Sequence, residues 1–280
     1  MDIFRYKKDI RKKIESFKPG TTIGFVPTMG ALHKGHLSLI ECSVKQDDVT
    51  IVSIFVNPAQ FNDKNDFKNY PKTLDTDLKV LSNAKCDIVF VPSENEMYDK
   101  PDHRIFDFGN LGKVMEGKYR PGHFSGVAKI VTRLFDVINP HKAYFGLKDF
   151  QQFAIIKKLT EDLKLPVNII PCPTVRENDG LAMSSRNSLL SAEERKHAAL
   201  IYSTLFQAKK DSRKYTVGNI KKNVSNTLNE DPYITVEYFE IVNASNLAPV
   251  QSWNEPSVKV GCIAAKVGNV RLIDNINFNS

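Results

Sequence analysis

The sequence predicts an α/β protein: a doubly wound parallel sheet over residues 1–174, followed by a smaller α+β domain over 175–280. Three observations carry this. Apolar, β-prone runs alternate with helical-period runs from residue 21 to about 173. The run TIVSIFVN (50–57) is nearly all apolar and β-branched, as in a strand covered on both faces. Past residue 175 the texture changes to polar turns, two helical stretches and three strand-like ones. Repeated β-α units imply a parallel sheet with helices on both faces.

Each element has its own signal. TTIGFVP (21–27) reads as a strand, and Leu37, Leu39, Ile40 and Val44 place a helix over Gly35 to Lys45. After the 50–57 strand come a helix at Thr73 to Ala84 and the strand DIVFVP (87–92). GVAKIVTRLFDVI (126–138) has helical spacing and stops at Asn139-Pro140. AYFG (143–146) is a short strand, DFQQFAIIKKLTEDL (149–163) a helix and VNIIPCP (167–173) another strand. In the smaller domain, Ser191 and Glu194 form a capping-box signature for a helix running to about Lys210. A second helix covers Val217 to Leu228. ITVEYFEIV, VKVGCIAAKV and NVRLIDNI read as three strands, the last two a hairpin about Gly268-Asn269.

The bulk numbers narrow the function. A chain of 280 residues, 41% hydrophobic and 25% charged, has the composition of an ordinary globular protein. No apolar run approaches the roughly 20 residues needed to span a bilayer, so no membrane partner is expected. The opening MDIFRYKKDIRKKI is charged throughout and lacks a signal core, which points to the cytoplasm. Cys42, Cys86, Cys172 and Cys262 are widely spaced and read as reduced, buried thiols. The net charge of +7 suits anionic partners. The basic clusters KKDIRKK and KKDSRK are interrupted by acids and lack interleaved aromatics, so they read as solvated helix faces and not as a nucleic-acid surface.

VPTMGALHKGHLSLI (26–40) is the stretch that carries chemistry. It places His33 and His36 in the first turn of a helix that follows a strand, where unpaired N–H groups and the helix dipole favour an anion. Gly35 between them lets a ligand approach the backbone. Two histidines on one helical turn also suit a metal, but no third ligand stands nearby. Lys148-Asp149 and Met183-Ser184-Ser185-Arg186 bring a cation, hydroxyls and a guanidinium suited to a triphosphate. Taken alone, the first also reads as an exposed helix start capped by Asp149, and the second as a turn. Gln60 and Gln152 each offer a donor and an acceptor, suited to a ligand carrying hydroxyls and a carboxylate.

PTMGALHKGH (27–36) closely resembles the nucleotide-binding signature of the pantothenate synthetase (pantoate–β-alanine ligase) family, within the H-x-G-H adenylyl-transferring superfamily. The resemblance continues in order through SIFVNPAQF (53–61), YPKTL (70–74), RPGHFSGV (120–127), YFGLKDFQQ (144–152) and TVRENDGLAMSSRN (174–187). The last 90 or so residues match in general texture only. Three positions depart from the family pattern: Ala59 for Met, Lys72 for Arg, and MYDK for Met-Tyr-Pro, and Ala59 is expected to loosen the acid-substrate pocket.

The resemblance implies a Rossmann-like nucleotide domain with a C-terminal lid, and a two-step reaction. ATP and pantoate form pantoyl adenylate and pyrophosphate, and the amine of β-alanine then displaces AMP. It assigns ATP to Met29, Gly30, Ala31, Leu32, His33, Lys34, Gly35 and His36, to Gly146, Leu147, Lys148 and Asp149, to the Val175 backbone, and to Met183, Ser184, Ser185 and Arg186. His36 is the proton donor it names, with His33 and Lys148 as further catalytic groups, and pantoate lies between Gln60 and Gln152. Mg²⁺ would travel with the phosphates and water, with no dedicated protein ligand and Asp77 as an indirect contact. His103, His123, His141 and His197 are expected to be structural, with His123 shaping the pantoate pocket. A homodimer is implied. The rival readings are adenylyl transfer to another acceptor, and an RNA-binding protein on a nucleotide fold; a phosphate-bearing acceptor would call for more cations than the glutamine pair supplies.

Overall fold

Six short apolar runs line up as one parallel sheet in a computed structural model that describes residues 1–62, 64–100 and 103–279. Along the chain the strands are β1 (Asp2–Phe4), β2 (Ile23–Thr28), β3 (Val49–Ile54), β4 (Ile88–Phe90), β5 (Lys142–Gly146) and β6 (Asn168–Cys172). Their order across the sheet is β1-β4-β3-β2-β5-β6, and every pairing is parallel. The crossovers carry α1 (Lys7–Glu15), α2 (Lys34–Gln46), α3 (Lys64–Asn69), α4 (Leu74–Asn83), α5 (Glu94–Met97), α6 (Met115–Tyr119), α7 (His123–Ile138) and α8 (Phe150–Asp162). Phe25, Val26, Ile51, Val52, Val89 and Phe90 are fully buried, as strands covered on both faces must be.

The chain leaves β2 in one direction through β3 and β4, then returns to add β5 and β6 on the other side. This reversal is a topological switch point, and ligands of such sheets bind outside the carboxyl ends there. β2 and β5 pair only through Gly24–Lys142 and Phe25–Ala143. Beyond that register the two strands are no longer paired.

The chain divides into two compact units. The first holds Met1–Phe108, Tyr119–Leu147 and Ile155–Pro173, and the second Gly109–Lys118, Lys148–Ala154 and Thr174–Ser280. In the second unit α9 (Ala192–Ala198), α10 (Leu200–Asp211) and α11 (Val217–Asn229) accompany an antiparallel sheet of β7 (Ile234–Asn243), β8 (Lys259–Val267) and β9 (Val270–Asn277). Ile201, Leu205, Ile220, Val224 and Leu228 on the helices share one core with Phe239, Ile241, Ile263 and Leu272 on the strands. A buried polar knot ties in the outlying segments. Arg271 grips both oxygens of Glu116 at 2.6 and 2.9 Å, and the Tyr238 hydroxyl donates to the same carboxylate at 2.8 Å. Gln151 accepts from the Glu116 N–H and donates to the carbonyls of Leu111 and Val114.

Several boundaries move, each for a local reason. The 50–57 strand ends at Ile54, because Asn57 caps a 3₁₀ turn opened by Pro58. α7 begins at His123, three residues before the expected start, where Gly122 turns the chain at φ 82°. The helix expected over 191–210 is interrupted at Ala199, and the bond from the Ser203 N–H to the Ala199 carbonyl stretches to 3.4 Å. α1 takes up the KKDIRKK stretch read as a solvated helix face, whereas β1, α3, α5 and α6 carry no expectation. Most span only three to six residues, too few to display a period, and β1 exists because Asp2–Phe4 docks on β4.

Candidate active site

The loop Met29–Leu32 leaves β2 at the carboxyl edge and delivers the chain into α2. His33 is the N-cap of that helix, and the two histidines cap it reciprocally. His33 Nδ1 accepts from the Gly35 N–H at 3.1 Å, and His36 Nδ1 accepts from the His33 N–H at 3.3 Å. Their rings lie 4.0 Å apart. With each Nδ1 lone pair committed to a backbone donor, the proton of a neutral ring sits on Nε2. The helix start therefore combines two imidazoles with its own dipole, a combination suited to phosphate oxygens.

Asp77 builds this loop. Expected as an indirect contact of a metal ion, it is 2% exposed on α4 and commits its oxygens to the chain itself. It accepts from Ala31 N–H at 2.9 Å, from Leu32 N–H at 2.8 Å and from the Thr73 hydroxyl at 3.2 Å. Ala31 is held at φ 50°, a conformation that non-glycine residues seldom adopt. The carboxylate and the strained alanine together set where α2 begins. Among the described residues, no group of three or more His, Cys, Asp or Glu is arranged to hold a metal ion.

Gln60 lies in the 3₁₀ turn after β3, half-buried, with its Nε2 against Met29 Sδ at 2.7 Å. Its backbone carbonyl accepts from Arg120 at 3.2 Å and meets His123 Nδ1 at 2.8 Å. His123, expected to shape this pocket without doing chemistry, is buried beneath it. Gly126 on α7 explains the close seat of the turn: a Cβ there would stand 2.1 Å from the Ala59 carbonyl oxygen. The Ala59 residue itself is exposed. A cavity of about 300 Å³ next to this loop is lined by Met29, Gly30, Phe55, Pro58, Lys72 and Asp77, among others. Of the other histidines, His141 accepts from Ile23 N–H, His197 pairs with Asp231 at 2.6 Å, and His103 is exposed.

Gly146 ends β5 with open space where a Cβ would stand, and Leu147–Asp149 form a 3₁₀ turn into α8. Lys148 Nζ lies 3.8 Å from Asp149, and Gln152 falls in the first turn of α8. In the second unit, β9 organises two stretches of candidate residues. Asn275 donates to the Lys148 carbonyl at 2.9 Å, and Asp274 clamps Arg176 at 2.6 and 2.9 Å. Val175 accepts from Met183 N–H at 3.0 Å, and Arg176 forms a bridge with Ala182, so this turn is a small β-hairpin. Ser184 caps the following 3₁₀ turn by accepting from Arg186 N–H. The candidates thus gather in two groups. Met29–His36, Gln60, Gly146 and Leu147 lie on the first unit, while Lys148, Asp149, Gln152, Val175 and Met183–Arg186 lie on the second.

The model of the pantoate-β-alanine ligase family matches residues 2–277. The chain belongs to that family. Because the match runs nearly end to end, it takes in the C-terminal 90 or so residues, whose motifs carry no signature. Pantothenate synthetases of Bacteroides fragilis and Porphyromonas gingivalis are 49% and 48% identical to the chain over 279 residues, covering 99% of each partner. A pantothenate synthetase structure from Thermus thermophilus superposes with a TM-score of 0.93 at 37% identity, over 99% of both chains. A pantoate-β-alanine ligase from Francisella tularensis, solved with β,γ-ATP and β-alanine, gives a TM-score of 0.86 at 37% identity, over 100% of this chain and 98% of that one. Loop and sheet in this chain are those of the ligase fold. Sequence reasoning gave Asp77 only an indirect metal contact, gave Arg120 no role of its own within RPGHFSGV and gave Asp274 none, because the partner of a single acid or arginine cannot be read from one sequence.

Proposed function

We propose that this ligase joins pantoate to β-alanine through a pantoyl adenylate. A pantoate carboxylate oxygen attacks the α-phosphorus of ATP and pyrophosphate leaves. The β-alanine nitrogen then attacks the acyl carbon, the acyl–oxygen bond to AMP breaks, and the amine loses its proton. The observation that carries the reading is the reciprocal histidine cap, which sets both imidazoles at a helix start beyond the carboxyl end of β2. His36 and His33 stabilise charge accumulating on the α-phosphate. Lys148 adds a point charge for the outer phosphates, while Gly146–Asp149, the Val175 backbone and Met183–Arg186 hold the nucleotide. Gln60 and Gln152 bind pantoate by its hydroxyl and carboxylate oxygens.

The Mg²⁺ that accompanies ATP is proposed to be carried by phosphate oxygens and water. Asp77 does not fit as its ligand, being buried and engaged with two backbone N–H groups. The same proposal takes the protein as a cytoplasmic homodimer, with residues 1–174 as the main nucleotide- and pantoate-binding domain and residues 175–280 as a lid that also contributes Val175 and Met183–Arg186. Labelled pyrophosphate exchanging into ATP with pantoate present and β-alanine absent tests the intermediate. Exchange that needs β-alanine, or ADP released in place of AMP, overturns it.

A further inference from the structure

Asn57 is buried, 1% exposed, at the exit of β3, and its side-chain amide is saturated. Nδ2 donates to Gln60 Oε1 at 3.2 Å and to the Gly126 carbonyl at 3.1 Å. Oδ1 accepts from the Ala59 N–H at 3.3 Å and from the Tyr98 hydroxyl at 2.6 Å. Two donors face the oxygen and two acceptors face the nitrogen. A flipped amide would set its NH₂ against the Ala59 N–H and its oxygen against the Gly126 carbonyl, and would require the Tyr98 hydroxyl to accept in place of donating.

This arrangement reaches Gln60. Because Asn57 occupies Oε1, the Gln60 amide is turned so that Nε2 faces Met29. The group offered beyond Asn57 is therefore a donor, the polarity that an acceptor-rich carboxylate or hydroxyl requires. The shortest of the four Asn57 contacts comes from Tyr98, 41 residues away in sequence. Tyr98 is itself held from outside. The Arg133 guanidinium lies 5.0 Å over its ring and donates to the backbone carbonyls of Met97 and Lys100. Phe55 packs at 6.4 Å between ring centroids.

We infer that Tyr98 is a positioning residue that fixes, through Asn57, the orientation in which Gln60 meets the acid substrate. The inference rests on the assignment of Gln60 to pantoate, and the experiment separates the two. Tyr98→Phe removes one hydroxyl and keeps the ring that Arg133 and Phe55 pack against. It raises the KM for pantoate about fivefold and moves the KM for ATP and kcat less than twofold. Gln60→Ala raises the pantoate KM by more, and adding Tyr98→Phe to Gln60→Ala changes nothing further.

An unchanged pantoate KM in Tyr98→Phe, beside a raised one in Gln60→Ala, overturns the inference and leaves the Gln60 assignment standing. The same fivefold rise from Tyr98→Phe in both backgrounds also overturns it, because the hydroxyl would then act through general packing. A pantoate KM unmoved by Gln60→Ala overturns the assignment, and the inference with it.

Discussion

Asp77→Asn tests the loop that positions the histidines. In the native protein two backbone N–H groups, those of Ala31 and Leu32, donate to this buried carboxylate. Hydrogen bonds to a charged group contribute about 1.5–3 kcal/mol each, or roughly 3–6 kcal/mol for the two. Against them stands Ala31 at φ 50°, which costs an alanine about 1–2 kcal/mol. Asparagine keeps the shape but supplies one acceptor oxygen and turns an NH₂ toward the second N–H. Losing one bond, about 1.5–3 kcal/mol, brings the strained loop close to parity with a relaxed one. At parity about half of the molecules keep the productive loop, so adenylation falls about two- to threefold.

Pyrophosphate–ATP exchange at saturating ATP and pantoate measures this, on protein shown to be folded by its circular dichroism and urea midpoint. Ala31→Gly removes the strain, because glycine adopts positive φ freely, so the double variant recovers part of the lost rate. A folded Asp77→Asn protein with native exchange refutes the argument, and so does a double variant slower than the single one.

His36→Ala lowers adenylation by two orders of magnitude or more, about 3 kcal/mol, with the fold intact; a native rate in a folded variant shows the histidine to be structural. Gln60→Ala and Gln152→Ala weaken pantoate binding roughly ten- to a hundredfold and leave ATP binding nearly unchanged, whereas Lys148→Ala reverses the pattern; calorimetric titration with each ligand decides. Arg176→Ala strips the partner from Asp274, 5% exposed, and costs about 3 kcal/mol in urea denaturation, with Tyr202 losing the guanidinium 3.8 Å above its ring; a midpoint shift equivalent to less than about 1 kcal/mol contradicts the clamp. Burial pushes the thiols of Cys86 and Cys172 up to about 12, so at pH 8 the native protein resists iodoacetamide at both and urea exposes them; rapid native labelling at either fails the test.

The sequence by itself determined the parallel sheet, because doubly covered strands such as 49–54 must be apolar throughout and helices between them must carry a stripe. It also determined the helix start at His33 and His36, since a cap followed by a glycine and a second histidine is a local pattern contained in four residues. What it left open lies in pairings between residues far apart in the chain. Asp77 meets Ala31, Tyr98 meets Asn57, and Asp274 meets Arg176, at separations of 46, 41 and 98 residues. An aspartate's acceptors look the same whether they meet a metal, water or a backbone N–H, so only the tertiary structure could show that Asp77 holds the loop through Ala31 and Leu32. The assignment of 109–118 and 148–154 to the unit of β7–β9 was likewise invisible in sequence. It depends on Glu116 and Gln151 being buried with Arg271 and Tyr238, and burial of a polar group is tolerated only where the fold brings its partners to it.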